Sequence, residues 1–263
     1  MIDLGGEVVG KFGQQYAFKD NGSKVLAVAH LDTIRQDDHF QVVRLSGDTL
    51  VFNSKLDDRL GVYTILDLLP RLGVVCDILL TENEELGAST AANFVANKQY
   101  NWIVEFDRCG TDTVTYEYDW DIVKEYFDTG VGTFSDISKL QKLKCKALNI
   151  GIGYYNEHDK RSYFVVEEYI EQIALFLRFW ADHAEEHYPH EPVEAFWNYG
   201  DWRDAYGPFD DEGEEGPYWC PDCHATLLKD EVMTGHDDKL VCAYCGNEVV
   251  IVDKYEDRDE TFY

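Results

Sequence analysis

The sequence predicts an α/β fold: a three-layer sandwich around a mixed, mostly parallel central sheet, followed by a small zinc-ribbon module. Three observations predict it. Apolar, β-rich runs alternate with segments of helical period between residues 24 and 187. The composition then turns acidic and rich in Gly and Pro near residue 200. Two Cys-x-x-Cys pairs follow, at 220–223 and 242–245.

The first strong strand is KVLAVAH, residues 24–30, and HFQVVRL with DTLVFN forms a hairpin around Ser46-Gly47. DDRLGVYTILDLLPRL sets Leu60, Tyr63, Thr64, Leu66, Asp67 and Leu68 at mostly helical spacing and ends near Pro70. VCDILLT, residues 75–81, is the next strand, and GASTAANFVANK, residues 87–98, reads as a helix. WIVEFD (102–107) and ALNIGIG (147–153) are two more buried strands, and EEYIEQIALFLRFWADHAEEH (167–187) is a long amphipathic helix. The boundaries that follow are a domain over 1–200, an acidic linker over 201–217, a zinc ribbon over 218–252 and an acidic tail over 253–263.

A chain of 263 residues, 45% apolar and 14% aromatic, is large enough to bury a sizeable core. Its 51 acidic against 23 basic residues give a formal charge of -28, which repels nucleic acid and anionic membranes in the absence of a segregated basic patch. No apolar run approaches bilayer length and the first residues lack the pattern of a signal peptide, so the expected location is cytoplasmic, with no membrane partner. Cys76, Cys109 and Cys145 are scattered among the seven cysteines and read as reduced, buried thiols.

TENEELGAS, residues 81–89, places Glu84 beside Glu85 at the end of an apolar strand. Buried acids are costly unless paired, protonated or bound to a metal, which directs attention to possible partners. His30 and Asp32 close the first strand as A-H-L-D-T; Asp57 and Asp58 open a helix; Asp107 ends WIVEFD; His158 follows NIGIGYYNE. All lie at strand ends or in the loops after them, where open α/β sheets build sites, and all are oxygen or imidazole donors suited to zinc or a similar divalent ion. Each also has a plainer reading alone: Asp57 as a helix N-cap, Glu84-Glu85 as favourable charge at a helix start, Asp107 as a turn residue, His158 as a loop histidine.

The order of these groups, with the strings AHLDT, KLDDRLG, TENEELGAS and GTFSDIS, resembles the co-catalytic di-zinc exopeptidases, nearest the tetrahedral and glutamyl aminopeptidase branch, over about residues 24–180. The resemblance implies two catalytic divalent metal ions, with Asp57 bridging them, His30 and Asp107 completing one site, and Glu85 and His158 the other. Asp32 would hold His30 in its ligating tautomer, and Glu84 would be the general base. The reaction implied is metal-assisted amide hydrolysis on a peptide, most simply by an aminopeptidase. A carboxypeptidase or N-acyl amino acid deacylase on the same metals, or a silent scaffold, are the alternatives. The short gaps between these positions leave no room for the inserted domain that many relatives carry. Candidate substrate groups are Asp119, Asp121 and Asp136 for an amino end, with Asp136 on a small substrate-facing loop within residues 116–138, and Arg108 or Arg161 for a carboxylate; Tyr154 and Tyr155, beside the His158 loop, either line a pocket or are strand-end aromatics.

Cys220, Cys223, Cys242 and Cys245 form two pairs separated by eighteen residues, the spacing of a structural zinc site. So short a segment gains most of its stability from the metal. Disulfides or a rubredoxin-type iron are the other chemistries open to four cysteines. The flanking acids favour a protein contact over nucleic acid, with a separate partner, within a homo-oligomer or by docking on the chain's own first domain.

Overall fold

The computed structural model describes residues 6–11, 14–34, 40–132 and 134–192, and strand segments at 218–220, 225–227, 232–234, 239–242 and 250–251. The chain divides into two compact units, Met1–Glu194 and Ala195–Tyr263.

The first unit is built on a seven-stranded sheet in the order β1-β2-β6-β3-β7-β9-β8. Its strands are β1 (Glu7–Val9), β2 (Tyr16–Lys19), β3 (Val25–His30), β6 (Asp77–Thr81), β7 (Trp102–Arg108), β8 (Thr113–Val114) and β9 (Lys146–Gly151). β6, β3, β7 and β9 run parallel at its centre, and antiparallel β1-β2 and β8 flank them. A smaller sheet, β10-β11-β5-β4, joins β4 (Gln41–Leu45), β5 (Asp48–Phe52), β10 (Tyr154–Tyr155) and β11 (Tyr163–Val165). The β4–β5 hairpin turns at Ser46 and Gly47, with φ of 56° and 107°, the left-handed pair that a tight hairpin favours.

All of β3 is buried, as expected of a strand covered on both faces. On one face Val25, Ala27, Ala29, Ile78, Leu80, Trp102, Val104 and Phe106 meet two helical stretches. The first is α1 (Leu56–Tyr63), which runs through a π-turn at Thr64–Leu68 into α2 (Leu69–Arg71). The second is α3 (Val166–His183), with Glu167 and Glu168 in its first turn and His183 in its last, the polarity a helix dipole favours. Its Phe176 ring lies 4.9 Å from Phe106 and its Phe179 ring 5.3 Å from Trp102, both edge-on.

The other face carries Leu26, Val28, Leu79, Ile103 and Ala147 under a layer of 3-10 turns, including Thr90–Asn93, Tyr116–Tyr118 and Asp136–Lys139. This corrects the helix expected over residues 87–98. Only Thr90–Asn93 is helical, capped by the Ser89 side chain, and Phe94 is already extended with ψ of 131°. Phe94 is buried against Tyr16 and Phe18, with ring centroids 5.7 and 5.0 Å away, and reaching that slot outweighs continuing a helix whose next residue, Val95, is solvent-exposed. Cys76 and Cys145 are buried as expected, whereas Cys109 is half-buried.

In the second unit β12 (Tyr218–Cys220) pairs antiparallel with β13 (Ala225–Leu227) and β16 (Val250–Ile251), and β14 (Val232–Thr234) with β15 (Leu240–Cys242). Cys220 and Cys242 thus each end a strand. The side chains of Cys220, Cys223, Cys242 and Cys245, the linker 201–217 and the tail 253–263 lie outside the described residues. Among the described residues no helix is long and apolar enough to cross a membrane.

Candidate metal centre

The carboxyl ends of the four parallel strands share one edge, and the acids and histidines converge there. His30 ends β3, Asp107 is the penultimate residue of β7, and Glu84 and Glu85 occupy the turn after β6. Asp57 enters from the start of α1, and His158 from the turn between β10 and β11, with φ of 61°.

Asp57 stands between two half-sites. Its Oδ1 is 2.9 Å from His30 Nε2 and its Oδ2 is 3.2 Å from His158 Nε2. On the first side Asp107 Oδ1 is 3.4 Å from His30 Nε2, and on the second Glu85 Oε2 is 2.7 Å from His158 Nε2. Glu84 Oε2 lies farther out, 3.9 Å from His30 Nε2. His30, Asp57 and Glu85, and again His30, Glu84 and Asp107, offer donor atoms within 4.8 Å of one another. All five expected ligands and the expected base are therefore neighbours.

Asp57 is not a helix cap. Its φ and ψ of -85° and 106° are non-helical, and the local cap-like bond is made by Asp58, whose Oδ1 accepts the Gly61 N–H at 2.9 Å. The Asp57–Asp58 peptide is cis. Asp32 acts through two groups. Its backbone carbonyl accepts the His30 Nδ1 proton at 3.0 Å, which leaves Nε2 facing the acids. Its carboxylate accepts the N–H groups of Glu84 and Glu85 at 3.4 and 3.2 Å.

The electrostatics are those of an acid cluster short of positive charge. Burial and the Asp107 charge hold Glu84 up at about 9, and burial and the Asp57 charge hold Asp107 at about 8. Burial works against the charged form of His158, but its bonds to Asp57 and Glu85 raise it to about 10. His30 is likewise raised against burial, chiefly by Asp107. Asp57 is pulled low because its bonds to His158 and His30 outweigh its burial. Asp107 Oδ1 is buried and accepts no hydrogen bond. An orphaned carboxylate oxygen beside the His30 imidazole and the Glu84 carboxylate fits a divalent cation, and the mixed nitrogen and oxygen donors suit zinc.

Most of the candidate substrate groups are already engaged by other side chains. Asp136 is fully buried and accepts the hydroxyls of Thr81 and Ser89, which corrects its placement on a substrate-facing loop. Tyr155 is half-buried, stacks on Tyr163 and donates to Glu168 Oε2 at 2.6 Å. Asp121 is exposed and pairs with Lys124, and Asp119 is exposed at the end of the 3-10 turn Tyr116–Tyr118. Arg108 is held by Asp112 at 2.9 Å and Arg161 by Asp159 at 3.0 Å.

Two further groups support Asp107, one of which, Tyr154, the sequence offers only as a pocket-lining or strand-end aromatic. Tyr154 Oη donates to the Asp107 carbonyl at 2.9 Å, and Asn149 Oδ1 accepts the Asp107 N–H at 3.0 Å. Together they hold the backbone of Asp107 from both sides. The polar Asn149 inside the apolar run ALNIGIG was the available signal for one of them.

No family model matches the chain and no curated protein matches it in sequence. In backbone it is similar to aminopeptidase PepT from Bacillus cereus ATCC 10987, with a TM-score of 0.46 and 11% identity over 66% of this chain and 88% of that one. It is also similar to a tripeptidase from Staphylococcus aureus (TM-score 0.48, 9% identity, 69% of this chain and 90% of that one). An aminopeptidase from the archaeon Desulfurococcus kamchatkensis is a third similar structure (TM-score 0.48, 13% identity, 69% and 86%).

Proposed function

We propose that this chain is a metal-dependent peptidase acting at the amino end of peptides, with two divalent ions, zinc by donor type. His30 and Asp107 would hold one, His158 and Glu85 the other, and Asp57 both. The observation that carries this reading is the Asp57 carboxylate, whose two oxygens face two different imidazoles. When bound, such a metal pair acidifies a water toward neutrality and polarises the scissile carbonyl.

The residues of the chain supply the rest. Glu84 lies at the rim of the donor set, 14% exposed in its side chain; with cations bound beside it drawing its pKa down from the metal-free value of about 9, it can take the proton of the attacking water on its carboxylate and pass it to the leaving amine nitrogen. Asp32 fixes both the His30 ring and the backbone of Glu84 and Glu85. The arginines that a substrate carboxylate would need, Arg108 and Arg161, are engaged by Asp112 and Asp159. An acid-lined site with those cations already paired favours a substrate ammonium over a carboxypeptidase or deacylase substrate.

The test is metal content and turnover on the same samples of wild type and Glu84→Gln, with a peptide pool bearing free or blocked amino ends. The expected result is about three zinc equivalents in both proteins, two here and one at the four carboxy-terminal cysteines. Turnover of free-ended peptides should fall at least about a hundredfold in the variant. Full metal content with an inactive wild type points to a silent scaffold, and preference for blocked ends to a deacylase.

A further inference from the structure

We propose that Asp136 is a positioning residue for the Glu84–Glu85 segment: one buried carboxylate holds both ends of the turn that carries the proposed ligand and base. The inference rests on the roles given above to Glu84 and Glu85. Thr81 is the last residue of β6 and Ser89 the cap of the 3-10 turn Thr90–Asn93. The Thr81 hydroxyl donates to Asp136 Oδ2 and the Ser89 hydroxyl to Asp136 Oδ1. Between them lie only residues 82–88, so a single side chain closes the stem of that loop.

The stem is tied a second time through Thr90, since Glu82 N–H donates to Thr90 Oγ1 and Thr90 N–H to the Glu82 carbonyl, both at 2.9 Å. Asp32 holds the tip through the N–H groups of Glu84 and Glu85. Asp136 is itself anchored. It opens the 3-10 turn Asp136–Lys139, whose cap Ser135 donates to Glu105 Oε2 at 2.5 Å, and Tyr118 Oη donates to the Ile137 carbonyl at 2.6 Å. The turn after β6 is thereby referred to a fixed point on the buried face of the sheet and not to solvent.

An aspartate suits this task because a carboxylate accepts at both oxygens and donates at neither, so both hydroxyls must point inward. Bonds to an ionised acceptor are also about twice as strong as neutral ones. Asparagine keeps the shape, but one tie is then made by its N–H2 donating to a hydroxyl, and both ties are neutral and weaker than the charge-assisted bonds they replace. A core acid with a merely structural role would, when replaced, loosen the whole unit. A clamp loosens residues 82–90 first.

The experiment is hydrogen–deuterium exchange on the full chain, metal-free and zinc-loaded, for wild type, Asp136→Asn and Ser89→Ala. Peptides spanning 82–90 should exchange about tenfold faster in Asp136→Asn, with a smaller rise in Ser89→Ala, while peptides from β3 and β7 stay at wild-type rates. Zinc competition should show an affinity loss of about ten- to a hundredfold in Asp136→Asn, and kcat should fall with KM little changed. If Asp136→Asn does not fold, Thr81→Val, which keeps Asp136, its bond to Ser89 and the Ser89 cap on the Ala91 N–H, decides the matter by the same exchange pattern. Unchanged exchange at 82–90 in a folded variant, or a rise shared equally by β3 and β7, overturns the proposal. The exchange pattern needs no turnover, so an inactive wild type counts against the peptidase reading alone.

Discussion

Asp57 and Asp58 are adjacent acids with opposite fates. Hydrogen bonds from two imidazoles pull Asp57 low against its burial, whereas burial pushes the wholly enclosed Asp58 carboxyl well up. The same balance makes the metal-free site proton-rich. His158 at about 10, Asp107 at about 8 and the raised His30 all lie above neutrality. A group whose pKa lies above the working pH carries its proton there, and ligation requires that proton to leave. Zinc titrated into metal-free protein at pH 7 should therefore release protons. Calorimetry in buffers of different ionisation enthalpy reads this as an observed heat that changes with the buffer, and heats independent of buffer would remove these groups from the ligand set.

At the scale of elements, the site depends on how closely α1 approaches β7. A Cβ added at Gly61 would lie 2.7 Å from the Phe106 carbonyl oxygen and 2.1 Å from Asp58 Oδ1. Gly61→Ala must push α1 off the sheet and take Asp57 with it, a loss of about 1–3 kcal/mol in a denaturant titration, accompanied by weaker zinc binding. Helix α3 gives the contrast. Phe176 is fully buried among Phe106, Trp102 and Trp180, so Phe176→Ala should cost about 3–5 kcal/mol. The folded fraction should keep its full zinc content, and a variant that loses zinc before it unfolds would show that the helix reaches the site.

For the whole molecule, bound metal should appear as stability. Asp57, Glu84, Glu85 and Asp107 are gathered around two imidazoles, and cations that bind only this folded arrangement stabilise it by mass action, about 2.7 kcal/mol at a hundredfold excess over Kd. A chelator should lower the melting temperature of the first unit, and zinc should restore it; a melting temperature indifferent to chelator would argue that the site is empty in the working protein.

The strands at 24–30, 75–81, 102–107 and 147–153 were legible because buried strands are apolar runs of a length few other elements share. The cluster of candidate donors was legible because such residues recur at the ends of those same runs. The helix at 87–98 was not, because one aromatic slot for Phe94, made by β2, outweighs local propensity. The role of Asp136 was hidden for the same kind of reason: whether an acid meets solvent or two hydroxyls depends on residues 55 and 47 positions away. The sequence by itself determined which chemical groups the parallel strands carry to their ends, since that is a matter of residue type and spacing. Only the tertiary structure decided which of those groups face one another, which are buried beneath them and which are already paired, because burial and pairing are set by contacts between segments far apart in the chain.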